Sequence, residues 1–174
     1  AEPARKGYAF LGWFTQETGG TQVDGNTVFK EVSSTTYYAH WEEATVFSVI
    51  VPAVLPVTVD KNGKVYVSNA EIVNHSTAAV QVSSVTLTAE NGWTLVPYAS
   101  DMSHAKVDSN QIGFKINSAQ TSKTGSTEQL VLTSPWQINE EESLTLTYDA
   151  VVSALSQPVT NANILSVLFV VEWA

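Results

Sequence analysis

The apolar residues of this chain alternate with polar ones in short stretches, and no window places them at helical spacing over three turns. Val, Thr, Ser, Tyr and Trp fill these stretches, and such residues suit a pleated, half-buried surface. The pattern predicts an all-β protein, with strands at residues 45–51, 54–60, 64–73, 79–89, 94–98, 111–116, 129–133, 143–152 and 164–173. Over residues 44–174 that spacing predicts an antiparallel β-sandwich of eight or nine strands, Ig-like or jelly-roll-like.

Turn chemistry sharpens the reading. Asn62-Gly63 stands between VTVD and VYVS, and Asn-Gly tolerates the positive φ angles of a type I′ turn, so a hairpin is expected there. Asn91-Gly92 stands between VTLTAE and WTLVPY and predicts a second hairpin. Residues 119–127 (AQTSKTGST) are small and polar, a composition that predicts a mobile loop. In 143–152, Leu144, Leu146 and Tyr148 are expected to face inward, and Thr145, Thr147 and Asp149 outward. Residues 164–171 are apolar at nearly every position and predict a strand that is central in its sheet or buried on both faces.

Composition excludes several function classes. Seventeen acidic residues against eight basic ones give a net charge of −9, which repels phosphate and argues against nucleic acid and anionic membrane as partners. Without cysteine the chain has no disulfide, thiolate metal site or cysteine nucleophile. The longest apolar run, 46–57, is interrupted by Pro52 and Pro56 and is too short to span a bilayer, so no membrane insertion is expected.

The N-terminal part reads differently. Pro3, Arg5, Gly7-Tyr8, Phe10, Gly12-Trp13-Phe14, Gly19-Gly20-Thr21 and the closing Tyr38-Ala39-His40-Trp41 form a spaced pattern of glycines and aromatics. It resembles the Listeria-Bacteroides repeat, the internalin-type B repeat of bacterial surface proteins. The resemblance implies a small β-grasp-like module over 1–43 and, because the family's opening strand and Asn-Gly-Gly turn have no counterpart here, a partial repeat with an unpaired edge. Such an edge is expected to be mobile or to contact a neighbouring chain by strand pairing. Read from the residues alone, Tyr8, Phe10 and Trp13 are core rings of a small module. The rival reading is a sugar-stacking platform built on Trp13 and Trp41. Residues 44–174 are only reminiscent of uncharacterised β domains in Gram-positive surface proteins.

A search for chemistry returns little. His40, His75 and His104 are not spaced as metal ligands, and no Gly-x-Ser-x-Gly elbow occurs. Asn74-His75-Ser76 reads as a solvent-exposed loop. Glu42-Glu43 and 140–142 are the acidic clusters, and both read as solvated edge charges. Asp60-Lys61-Asn62-Gly63 has lysines where a calcium ion would sit and reads as a plain turn. Lys115, between Phe114 and Ile116, reads as a solvent-facing strand lysine; an isopeptide role would need a buried carboxylate beside it.

The expectation is therefore a non-enzymatic extracellular module of a bacterial cell-surface protein, an adhesive or spacer stalk, with no cofactor and no metal. Its partner would be a host or bacterial surface protein or glycan. The alternative is a carbohydrate-binding module with Trp93, Tyr98 and Trp136 as ligand-contact aromatics. Of these, Trp136 follows Ser134-Pro135 and is expected to be the most exposed.

Overall fold

The computed structural model describes residues 3–5, 7–27, 34–60, 65–160 and 162–174. Two compact units divide the chain, Ala1–Phe47 and Ser48–Ala174. The described residues are β-strands and connections, with one short 3-10 turn at Met102–His104 and no α-helix.

The first unit is a three-stranded antiparallel sheet of β1 (Tyr8–Phe14), β2 (Gln22–Val23) and β3 (Tyr38–Glu43), with β1 in the middle. β3 covers the whole of β1, whereas β2 pairs only with Trp13 and Phe14. The flank of β1 beside β2 is thus without a strand partner from Tyr8 to Gly12 among the described residues. The register of β1 against β3 shifts between Phe10 and Gly12, which turns Phe10 and Trp13 toward the same face. Phe10 packs there against Trp13 and Trp41, at ring-centroid distances of 5.7 and 5.3 Å. His40 stacks on Phe14 at 4.0 Å, and its Nε2 lies 3.0 Å from the Gln16 carbonyl. Gly12 has φ +128°, and a Cβ on it would stand 2.5 Å from the Gln22 Nε2 that donates to the Leu11 carbonyl. Glu42 and Glu43 are residues of β3.

The second unit is an all-β sandwich. Its strands are β4 (Val49–Ile50), β5 (Val57–Val59), β6 (Val65–Val67), β7 (Ala70–Asn74), β8 (Val80–Ala89), β9 (Thr94–Leu95), β10 (Gln111–Ile116), β11 (Ala119–Gln120), β12 (Thr127–Gln129), β13 (Trp136–Ile138), β14 (Ser143–Leu146), β15 (Tyr148–Val152) and β16 (Leu165–Trp173). β8 carries β16 on one flank, and β12 and β13 on the other. A second sheet orders β11, β10 and β15, with β9 beside β10. β14, β7 and β4 form a third, and β5 pairs with β6. Alternate residues of β8 (Val80, Val82, Val85, Leu87) meet Ile112, Phe114 and Ile116 of β10, Ile72, Leu146, Tyr148 and Trp136 in one core cluster. Fully burying each such side chain stabilises the fold by about 1.5–3 kcal/mol.

Several expectations hold and several are corrected. β5 and β6 pair in the antiparallel register expected of a hairpin, while its turn, 61–64, lies outside the described residues together with most of the Asp60-Gly63 segment. At the second Asn-Gly both residues have positive φ, 51° and 81°, yet no hairpin forms. The end of β8 is already flanked by β16 and β12, so β9 has no edge to join and pairs in parallel with β10 instead. The stretch 143–152 has the predicted facing, with Leu146, Tyr148 and Ala150 buried, but it serves two sheets. β14 pairs with β7 and β15 with β10, and the chain changes sheets at Thr147. There the Asn117 side-chain oxygen accepts from both the N–H and the hydroxyl of Thr147.

The supposed mobile loop is built in. Thr121 is 1% exposed; its hydroxyl donates to the Val96 carbonyl at 2.7 Å and accepts from the Phe114 N–H at 3.1 Å. Glu128, also buried, accepts from the Ser122 N–H and hydroxyl and from the Lys123 N–H. A carboxylate folded under the loop thus supplies the order that the loop's own composition lacks. Asn74 and Ser76 are likewise buried rather than in an open loop, and only His75 between them is exposed. The Asn74 amide donates to the carbonyls of Ala78, Ile138 and Asn139 and accepts from the Ser76 N–H, which ties the ends of β7 and β13 together.

Candidate functional site

The site begins with Gly113 in β10. A Cβ there would stand 2.8 Å from the Tyr98 Cα and 3.0 Å from the Pro97 carbonyl, so the bare backbone lets the 97–98 segment cross directly over the strand. The Tyr98 N–H donates to the Thr121 carbonyl at 3.0 Å, fixing the segment from its other side. The Tyr98 ring is thereby laid beside the outward row of β10 and β15.

Lys115 and Asp149 are cross-strand partners in that row. The Tyr98 hydroxyl donates to Asp149 Oδ2 at 2.6 Å, and the Lys115 ammonium lies 6.0 Å from the centre of the Tyr98 ring. The bond to Asp149 is the first cause that holds the Tyr98 phenol above its ordinary pKa; partial burial and the nearby negative charge add to it. Together with Asn117, Thr147 and Tyr148 these residues line a shallow depression of about 210 Å³. Among the described residues neither the Lys115 ammonium nor the Asn117 amide nitrogen has a hydrogen-bond partner. The depression therefore offers two donors, a carboxylate and a ring edge on one wet surface. Asp149 is exposed, so the buried carboxylate that an isopeptide bond at Lys115 would need is not found beside it.

The aromatics singled out from sequence do not gather here. Tyr98 lines the depression; Trp93 and Trp136 do not. Trp93 is half-buried against the core, and Trp136, expected to be exposed, is only 9% exposed where β13 pairs with Val82. Its ring belongs to the core cluster with Val80 and Val82, a tertiary demand that Ser134-Pro135 does not reveal. Sequence reading gives Lys115 and Asp149 only an outward facing and leaves Asn117 out, because each sits in an ordinary alternating or turn context. The available signal was the outward parity that Lys115 and Asp149 share on neighbouring strands.

The histidines are dispersed. His75 lies 3.3 Å from Glu141 and His104 3.4 Å from Asp101, and among the described residues no group of three metal-ligating side chains forms. No helix among the described residues is long and apolar enough to cross a membrane.

In the first unit the glycines and rings of the spaced motif take up the sheet described above. Residues 1–40 match the family model of the Listeria-Bacteroides repeat domain. The match is consistent with a partial repeat, and the repeat is typical of surface-exposed bacterial proteins. Phe10 packs against Trp13 and Trp41, but Tyr8 is 38% and Trp13 40% exposed, so of the three rings expected as core only Phe10 is half-buried: among the described residues a three-stranded sheet offers them no second layer. No curated protein and no solved structure matches the chain.

Proposed function

We propose that this chain is a non-enzymatic extracellular module of a bacterial surface protein, a spacer or adhesive stalk element. The observation that carries the reading is the repeat match over residues 1–40, in a compact unit of its own followed by a β-sandwich. The disposition of the one buried carboxylate among the described residues supports it: Glu128 accepts from the Ser122 N–H and hydroxyl and the Lys123 N–H and so holds a loop. An antibody against residues 48–174 should label intact cells of the source organism, and protease applied to intact cells should remove the label. Labelling that requires permeabilised cells would refute the reading. Ester, glycoside and peptide substrates should turn over at background rates, and turnover lost on changing Asp149, His75 or His104 would refute the non-enzymatic part.

A second reading rests on the depression at Tyr98. Sugar hydroxyls both donate and accept, so a vicinal diol matches the Asp149 carboxylate set beside the free donors of Lys115 and Asn117. We infer a weak saccharide contact there. Titration with soluble cell-wall polysaccharide should shift the amides of 98, 115, 117 and 149 together and do so less in Tyr98→Ala. Shifts scattered over the surface would exclude it.

A further inference from the structure

Strand β16 lies at the edge of its sheet. It pairs with β8 from Leu165↔Ala89 to Trp173↔Val80, and among the described residues no strand pairs with its other flank. The direction of its backbone groups can be read from its ends. The Ile164 carbonyl accepts from the Glu90 N–H, and the Ala174 N–H donates to the Ala79 carbonyl, so the even-numbered residues point toward β8. The register shift near Val170 places its extra residue, Ser83, on β8, and the phase of β16 is unbroken. The odd-numbered residues 165–171 therefore direct their N–H and C=O groups away from β8, as a row open to another strand.

Natural edges of this length are blunted by lysine, proline or shortening. β16 is nine residues long and contains neither lysine nor proline. Its wet face carries Ser166, Leu168, Val170 and Glu172 in a row, with Leu168 62% and Val170 43% exposed. Acid marks both ends of that row: Glu172 itself at one end, and at the other Glu90, which accepts from the Ser166 hydroxyl at 2.9 Å. Among the described residues neither carboxylate meets a cation; Glu172 is bonded only to the Gln81 amide.

We propose that β16 is a docking edge for an extended segment of a partner protein, a strand with two alternate apolar residues flanked by basic ones. The open row supplies main-chain hydrogen bonds, Leu168 and Val170 meet the apolar pair, and Glu90 and Glu172 meet the cations six residues apart. The same charges select against a second copy of this chain. Each copy carries −9, and antiparallel pairing centred on Phe169 would bring Glu172 of one copy beside Ser166 and Glu90 of the other.

The test uses the full chain, isotope-labelled, titrated with the peptide Lys-Thr-Val-Thr-Val-Thr-Lys and with its Glu-flanked counterpart. The Lys-flanked peptide should shift and protect the odd-numbered amides of 165–171, and the Glu-flanked one should bind about tenfold more weakly at low salt. Leu168→Lys points into solvent, leaves the β8 ladder intact, and should abolish binding with the rest of the spectrum unchanged. Changing both acids, Glu90→Lys with Glu172→Lys, should reverse the preference between the two peptides. The proposal fails if millimolar Lys-flanked peptide leaves those amides unmoved or if both peptides bind equally. It also fails if sedimentation shows the chain alone pairing with itself through β16.

Discussion

Replacing Asn74 by Ala tests the polar clasp at the end of β7. The side chain is 0% exposed and serves four backbone groups. Two of them lie near the surface, since Ala78 and Asn139 are exposed residues whose carbonyls water can reach once the amide is gone. The other two, the Ile138 carbonyl and the Ser76 N–H, belong to buried residues and would be stranded. A stranded buried group costs about 1–3 kcal/mol, so the pair sets a loss of about 4 kcal/mol, with the two wet carbonyls adding little. For a unit of this size that corresponds to a fall in melting temperature of about 15 °C. Thermal and urea melts of the full chain, followed through near-ultraviolet signals of the sandwich, measure it. Asn74→Asp preserves the shape and the acceptor but turns a carboxylate toward three carbonyls, and at neutral pH it should cost at least as much. A two-state melt in which Asn74→Ala costs less than about 1 kcal/mol would refute the reasoning, because it would mean that water replaces the amide even at Ile138 and Ser76.

Three further outcomes are expected. Glu128→Ala should leave Ser122 and Lys123 without their acceptor, speed amide exchange at both and raise the rate of trypsin cleavage after Lys123, while changes confined to distant residues would count against the carboxylate clasp. Gly12→Ala combines a φ of +128° with a Cβ in the place of the Gln22 amide; it should destabilise the first unit by about 1–3 kcal/mol, read from its own tryptophan resonances, and leave the sandwich unchanged. Tyr98 binds its proton more tightly folded than unfolded, so its contribution is complete below pH 10 and is lost as the pH rises through the raised value. Tyr98→Phe should remove that part of the alkaline fall in stability, and an identical alkaline limb in both proteins would contradict it.

Facing was legible in the sequence where burial is one-sided, and sheet membership was not. Leu144, Leu146 and Tyr148 follow the two-residue period through Thr147 without a break, because a strand that leaves one sheet for another keeps its alternation. β16 shows the opposite failure. Leu168 and Val170 made it read as a strand central in its sheet or buried on both faces, yet among the described residues it is an edge whose outer row is exposed, since apolar content does not report which flank is paired. The loop at 119–127 was misread for a third reason. The acid that orders it, Glu128, lies just beyond the small polar run, and a carboxylate bonding backwards to Ser122 is invisible to composition. The depression at Tyr98 was half legible: the ring was picked out, but Lys115 and Asp149 meet only because β10 and β15 pair across a long separation.

The partners of β8 all come later in the chain than β8 itself: β12, β13 and finally β16, which sets Trp173 against Val80. A chain made or exported from its amino end therefore presents Val80, Val82, Val85 and Leu87 to water long before the strand that completes their sheet has emerged. Local hairpin closure cannot shield them, because the Asn91-Gly92 turn returns β9 to a different sheet. Closure awaits residues 165–173, so folding must be a late, concerted event of the slow, high-contact-order kind. A chain stopped before Leu165 would leave the β16 flank of β8 open, the species most in need of a chaperone's cover.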